Sequence, residues 1–490
     1  MESTAMKPRR PLLPLHPSLR EAYDSSAFRA FGHDLVDRLA DHLHDSVGRR
    51  RPSSYPVGTP EDELAYWKAF MARSGSRDEA IGAVLERSNQ LHDPRYMGHQ
   101  VAVPFPQEAM LGALTDLLNN GQAIYEMGPT NATLEHVLLN EVGKALGLPE
   151  ECGGVLCHGG TLGNLVALLA AQRKLGMRLD QDPWRHGIRQ TDPFVVLVSE
   201  QAHYCVDRAV RIMGWGPDAV VLVKTDAHHR MNVADLARQA EGQRKQGNKL
   251  LAVVGSACTT SAGAYDPLQD IAEWAHAEDV WFHVDGAHGA PAGFSGTHKH
   301  LVRGMSLADS VVLDFHKVCG LPALLTGVLY RESKESFLPF VQEAEYLWES
   351  AEGQDWWDTG KRTFECTKRM LSTRLATAMF DGGMDKWGHL VDRLWSLAEV
   401  FAEELKSRPA WELAMTPQAN IVCFRPAAAS GDADLVTKLR GRHLKDGASY
   451  VVATRLDGEA WLRCTFMNPL TELEDMQTML DEFEGWMAEA

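Results

Sequence analysis

The sequence predicts an α/β protein built on a mostly parallel sheet with helices on both faces. Three observations carry this expectation. Short apolar runs bounded by turn residues recur from about residue 94 to 370 and alternate with helical stretches, the pattern of strand and crossover helix. Two of these runs, Val280-Trp281-Phe282-His283-Val284-Asp285 and Ser310-Val311-Val312-Leu313-Asp314-Phe315-His316-Lys317, are near-continuous hydrophobic stretches, as in strands covered on both faces. Each ends in charge. A glycine-rich stretch, Gly153-Gly154-Val155-Leu156-Cys157-His158-Gly159-Gly160-Thr161-Leu162-Gly163, leads directly into an apolar helical segment, 166–174.

Taken in order, residues 1 to about 20 are proline-rich and aperiodic, which predicts a loose tail. Phe28, Phe31, Leu35, Leu39 and Leu43 recur at helical spacing and predict an amphipathic helix that ends before Arg49-Arg50-Arg51-Pro52. Strands are expected near 194–199, 219–224, 250–255, 280–285, 311–314 and 325–330. A smaller α+β region follows, with strands near 420–425, 450–454 and 461–466. Its last helix follows Thr471-Glu472-Leu473-Glu474, which has capping-box form. The expected division is an N-terminal tail and helical segment, 1–93, a large domain, 94–370, and a small C-terminal domain, 371–490.

Composition narrows the function classes. A chain of 490 residues buries an ample core. Its 49 basic against 66 acidic residues give a net charge of −17, which argues against binding nucleic acid or an anionic membrane surface. No uncharged apolar run reaches the ~18 residues of a membrane span, and the first ten residues do not lead into a signal-peptide core. A cytoplasmic protein is expected. The eight cysteines are scattered, and Cys152 and Cys157 do not match the common zinc spacings, so they read as reduced and no metal site is expected.

In open α/β sheets the carboxyl ends of the strands present ligand-binding side chains, so Asp285 and Lys317 are expected to meet at one site. An amine and a carboxylate beside a sheet crevice suit pyridoxal 5′-phosphate (PLP). The amine condenses with its aldehyde, and the anion keeps its pyridine nitrogen protonated. As a bare pattern, two charged residues closing buried strands are structural or incidental in roughly two cases of three. The glycine loop adds weight, because bare N–H groups at a helix start form an anion site, to which Thr161 can add a hydroxyl. Glycine loop, Gln201-Ala202-His203-Tyr204, Asp285 and Lys317 then follow in the order used by fold-type I PLP enzymes.

With these residues in view, the chain resembles the group II PLP-dependent amino-acid decarboxylases, which act on glutamate, cysteine sulfinate, diaminobutyrate and aromatic amino acids. The resemblance runs from about Phe28 to the C-terminus. Besides the segments above it rests on Asp93-Pro94-Arg95-Tyr96-Met97-Gly98-His99, Tyr125-Glu126-Met127-Gly128-Pro129, Cys258-Thr259-Thr260, His283-Val284-Asp285-Gly286-Ala287, His316-Lys317, Leu462-Arg463 and Asn468-Pro469. It implies a seven-stranded sheet, a cytoplasmic homodimer and decarboxylation of an L-amino acid to an amine and CO2 through a Lys317 aldimine. It further implies that His203 stacks on the cofactor ring, that Gly160, Thr161 and His316 bind the phosphate, and that Thr260, Asp266 and Ala287 support the cofactor and Asp285. Arg463 matches the residue that takes the substrate carboxylate, and His99 and His288 fall near the substrate side chain.

Three departures accompany the resemblance. Asp314 stands where many members have asparagine, and His288 where many have tyrosine. In the segment Tyr346 to Gly360, whose counterpart is a mobile loop with a proton-donating tyrosine, Trp356 and Trp357 are expected near the donor's place. Relatives with phenylalanine in place of that tyrosine release an aldehyde by oxidative deamination, which is the alternative reading here. Transamination on the same fold is another.

Overall fold

The computed structural model describes residues 13–55, 58–340, 355–430 and 432–489. Its centre is a seven-stranded sheet formed by β1 (Gly153–Cys157), β2 (Phe194–Ser199), β3 (Val220–Val223), β4 (Lys249–Ser256), β5 (Trp281–Asp285), β6 (Ser310–Asp314) and β7 (Thr326–Tyr330). The strand order is β1-β7-β6-β5-β4-β2-β3. Only β7 runs against its neighbours, pairing antiparallel with both β1 and β6, so the expected mostly parallel sheet is present. Strands β1, β2, β6 and β7 are buried along their whole length, because helices cover both faces.

The first strand was read from sequence as part of a glycine loop. Gly153 and Gly154 hide its strand character, yet Val155, Leu156 and Cys157 are buried, and a side chain at Gly154 would come within 2.2 Å of the Val328 carbonyl. Glycine there permits close packing against β7. Only after Cys157 does the chain turn, at Gly159 with φ +98°, into the helix Gly160–Leu179.

A second, antiparallel sheet has the order β10-β11-β9-β8, formed by β8 (Trp411–Leu413), β9 (Ile421–Pro426), β10 (Val452–Leu456) and β11 (Glu459–Thr465). The short edge strand β8 has no counterpart in the sequence-based reading. Leu394, Phe401 and Leu405 of the helix Gly383–Ser407 and Met476, Leu480 and Phe483 of the helix Leu473–Ala488 join the apolar core continuous with that of the large sheet. The last helix starts one turn position later than its sequence signature indicated. Glu472 is the cap and Asp475 closes the box, with Asp475 Oδ2 accepting from the Glu472 N–H at 2.9 Å.

At the other end, the long helix Ser25–Val47 is capped by Asp24, which accepts from the N–H groups of Ser26 and Ala27. Its apolar side chains Phe28, Val36 and Leu39 are exposed. Among the described residues, no helix is long and apolar enough to cross a membrane.

Candidate active site

The carboxyl ends of β4, β5 and β6 lie side by side, with Ser256 registered on Asp285 and Asp285 on Val312. They open onto a cavity of about 320 Å³. Gly160, Thr161, His203, Thr260, Asp285, Ala287, His288, His316 and Lys317 all line it. The topology thus gathers residues that span more than 150 positions of sequence.

Asp285 ends β5 and is partly buried. Its Oδ1 accepts from the Ala287 N–H at 3.2 Å, and its Oδ2 lies 3.9 Å from the Cys205 thiol. Two residues earlier, His283 is fully buried between Ser310 Oγ (2.8 Å) and Asn164 Oδ1 (2.7 Å), and burial lowers its pKa to about 4. Asn164 also donates to the Gly160 carbonyl at 3.0 Å. A neutral histidine and an amide therefore tie the strand carrying Asp285 to the start of the glycine-loop helix.

His203 stands at the end of the β2 connection. The Cys205 N–H donates to its Nδ1 at 3.4 Å, which puts the ring hydrogen on Nε2. Burial lowers its pKa, against the pull of Asp285. His316 is buried, with its Nδ1 3.0 Å from the Leu325 carbonyl. His288 is 3% exposed, is bound through Nε2 to Asn420 Oδ1 at 2.7 Å, and has its pKa lowered to about 3 by burial. It is therefore a neutral fixture of the cavity wall rather than a titrating group.

Lys317 lies in the turn after β6. Burial alone would lower its pKa, but Asp314 and then Asp285 outweigh burial and hold it above the ordinary lysine value. Its Nζ is 3.1 Å from Asp314 Oδ2. Asp314 thus faces the cavity. Asp266 does not bond Asp285; it accepts from the Met231 and Ser256 N–H groups at 2.6 and 2.8 Å and braces the end of β4.

Arg463 and His99 are not part of the cavity wall. Arg463, on β11, is 8% exposed and donates from Nη1 to the Thr260 carbonyl at 2.6 Å, while its buried Nε has no partner. His99 Nε2 lies 3.0 Å from the Tyr450 hydroxyl, and Arg440 bonds the same hydroxyl. The two tryptophans do not line the cavity either. Trp356 stacks on His136 with ring centroids 4.4 Å apart, its carbonyl accepts from Arg362, and Trp357 packs edge-on against it. Tyr346 lies outside the described residues.

Sequence reasoning passed over several cavity residues. Asn164 and Cys205 line it, the first one helical turn after Gly160 and the second two residues after His203, offsets that could have flagged them. His158 also lines it, with its Nδ1 2.9 Å from Glu365 Oε1, a pairing across more than 200 residues that leaves no sequence signal.

The residues fit PLP. A cationic amine and a carboxylate face one cavity, and the first residues of the helix Gly160–Leu179, Gly160 and Thr161, line it, a helix start being suited to an anion. Comparisons with known proteins agree. The model of the pyridoxal-dependent decarboxylase conserved domain matches residues 92–427. An L-2,4-diaminobutyrate decarboxylase of Rhizobium meliloti is 31% identical over 405 residues, 81% of this chain and 78% of that one. An aromatic-L-amino-acid decarboxylase of Bacillus atrophaeus is 27% identical over 462 residues, 91% and 93% of the two chains. The crystal structure of mouse CSAD superimposes with a TM-score of 0.85 at 25% identity, covering 94% of this chain and 99% of that one. Site and relatives lead to one conclusion: this chain belongs to the pyridoxal-dependent decarboxylase family and decarboxylates an amino acid with PLP as its cofactor.

Proposed function

We propose that Lys317 is the residue to which PLP attaches, that Asp285 holds a proton at the ring nitrogen, and that His203 packs on the ring. Gly160, Thr161 and His316 take the phosphate, while Thr260 and Ala287 border the ring. When bound, the cofactor supplies an electron-withdrawing ring that accepts the electron pair released as CO2 departs. The chain's own part is orientation. Asp285 stays aimed because its oxygens are held from one side by a backbone N–H and flanked on the other by the Cys205 thiol. His203, kept neutral, offers a flat face without adding charge. Arg463 is suited to gripping the substrate α-carboxylate, and where it fixes that group decides which bond at Cα is weakened.

The substrate class we infer is an amino acid with an acidic side chain. The observation behind this is the cluster of Arg463, Arg440, His99 and Tyr450. Burial lowers the Arg463 pKa, and burial, then Arg463 and Arg440, lower that of His99. Among the described residues the partners found for the two guanidiniums are neutral, the Thr260 carbonyl for Arg463 and the Tyr450 hydroxyl for Arg440. A buried guanidinium without a counter-ion costs several kcal/mol. Two anionic groups on one substrate would relieve it, with Arg463 on the α-carboxylate and Arg440 with His99 on the side chain. A screen that records CO2, ammonia and oxygen uptake for the twenty amino acids, cysteine sulfinate, diaminobutyrate and DOPA tests this. Aspartate, glutamate or cysteine sulfinate should give CO2 fastest; preference for diaminobutyrate or an aromatic amino acid would refute it.

The same screen separates amine from aldehyde. Trp356 packs on His136 rather than on the cavity wall, and an amine product is the reading we favour. Segment 341–354 carries a phenol, Tyr346. Its replacement in Tyr346→Phe is expected to convert an amine-forming enzyme into one that consumes oxygen and releases ammonia.

We further propose a homodimer, supported by the exposed Phe28, Val36 and Leu39 of the first long helix and Leu114, Leu117 and Leu118 of the helix Pro106–Leu118. The free state of all eight cysteines supports a cytoplasmic setting. The division we propose is an N-terminal tail and helical segment, 1–93, a large domain, 94–370, and a small C-terminal domain, 371–490.

A further inference from the structure

Asp314 ends β6, and its side chain is 1% exposed. A carboxylate so deeply buried costs several kcal/mol unless other groups compensate it. Here they do. Its Oδ1 accepts from Thr326 Oγ1 at 2.5 Å, across the β6–β7 pairing in which the two residues face each other. Its Oδ2 is 3.1 Å from Lys317 Nζ and 3.7 Å from His316 Nε2. The missing side chain of Gly160 leaves Oδ2 its room. Asp285 is the other acid facing the lysine, but it makes no ion pair with it within 4 Å, and Cys205 lies on the Asp285 side.

We propose that Asp314 is the positioning residue that holds Lys317 as an ammonium whenever its nitrogen is free, both before PLP attaches and after the substrate's amino group has displaced it. The exchange balances without another reagent. The amino acid arrives as R–NH3+, the C=N bond to Lys317 breaks as one to the substrate nitrogen forms, and the three hydrogens of the incoming ammonium end on the lysine nitrogen. Asp314 receives that new cation at a fixed distance, keeping Lys317 out of the way of the Cα bond to be broken and poised to return. Thr326 holds the other oxygen of Asp314, so that the carboxylate stays turned toward Lys317.

This rests on the assignment of Lys317 as the PLP lysine, and the test separates the two. The full-length protein, stripped of cofactor, is mixed with PLP between pH 6 and 9 and the rise of the visible absorbance is followed. Only the neutral amine reacts, and Asp314, Asp285, Cys205, Cys258, His158, His203, His288 and His316 are titratable groups of the cavity around it. In Asp314→Asn the lysine should lose its closest anion, so PLP should attach about tenfold faster at pH 7, with the pH profile displaced down by about one unit. Thr326→Val, which frees Asp314 Oδ1 and spares the charge, should shift the profile in the same direction by less, and it serves if the first variant does not fold. Competitive labelling of Lys317 with acetic anhydride reads the same proton without PLP. An unchanged profile and unchanged labelling in the folded variants overturn the proposal. Failure of wild-type protein to take up PLP at Lys317 would overturn the assignment beneath it, and the proposal with it.

Discussion

Lys317 owes its chemical setting to neighbours that sequence distance conceals. Asp285 is 32 positions upstream and Asp314 only three, yet the near one forms the ion pair while the far one lines the same cavity and accepts from the Ala287 N–H. Lys317→Ala removes the cation beside buried Asp314 and so is expected to lower stability, but to leave the fold intact because Thr326 still holds Asp314, and to lose the visible absorbance of the PLP-loaded protein. A pyridoxyl group fixed covalently to this variant by borohydride would show that another residue carries the cofactor. His288 teaches a related lesson. A histidine in place of a tyrosine reads as a possible titrating group, but its burial and its bond to Asn420 keep it neutral. The geometry, not the residue type, decides which of the two descriptions holds.

Strand β1 depends on a buried ion pair. Lys368, 3% exposed, donates to Glu135 Oε1 at 2.7 Å and to the Leu156 carbonyl at 2.8 Å. Glu135 in turn accepts from the Leu156 N–H at 3.1 Å and from Gln122 at 2.6 Å. The pair therefore fixes the last turn of backbone before the glycine loop. Removing one partner leaves an uncompensated charge, so Lys368→Met should cost about 3–5 kcal/mol. The double change Lys368→Met with Glu135→Gln should recover part of it. Urea unfolding of the three proteins measures this; an unchanged midpoint in the single variant would show that Glu135 finds another partner. None of these residues carried a sequence signal, since an isolated lysine and glutamate 233 positions apart match no motif.

Across the whole molecule, acid stability should be set by histidines buried in the neutral form. His283 and His443 have pKa values lowered to about 4 and His288 to about 3, in each case chiefly by burial. The unfolded chain binds protons at these groups below pH 6.5 while the folded one does not, so stability is complete above pH 6.5 and falls as pH drops toward 4. At pH 5 the loss is about 1–2 kcal/mol per histidine. Asp266 opposes this. Burial raises its pKa to about 6, so the folded state takes up a proton there before the unfolded state does and regains part of the loss. Net destabilisation between pH 7.5 and 5 is the expected result, read from urea midpoints, and it should shrink in His283→Gln. A flat profile would show that the buried histidines are protonated in the fold. For the homodimer, light scattering at micromolar concentration should give twice the 54.3 kDa chain mass; a monomer with full activity at nanomolar concentration would refute it.

The order of elements and the chemistry of the site were legible along the chain, because fully buried strands are short uninterrupted apolar runs and residues that bind a ligand sit at their carboxyl ends. That is why β2, β4, β5, β6 and β7 were found within a residue or two of their observed bounds, and why Asp285 and Lys317 were paired without coordinates for either. Strand β1 escaped because its glycines imitate a loop until β7 is packed against them. Trp356 was set near the reaction for want of any sign that His136 would receive it. The facing of Asp314, the neutrality of His288 and the neutral partners of Arg440 and Arg463 among the described residues are matters of side-chain direction and burial. Those depend on which distant segments close over a residue, and no local pattern of residue types encodes that closure.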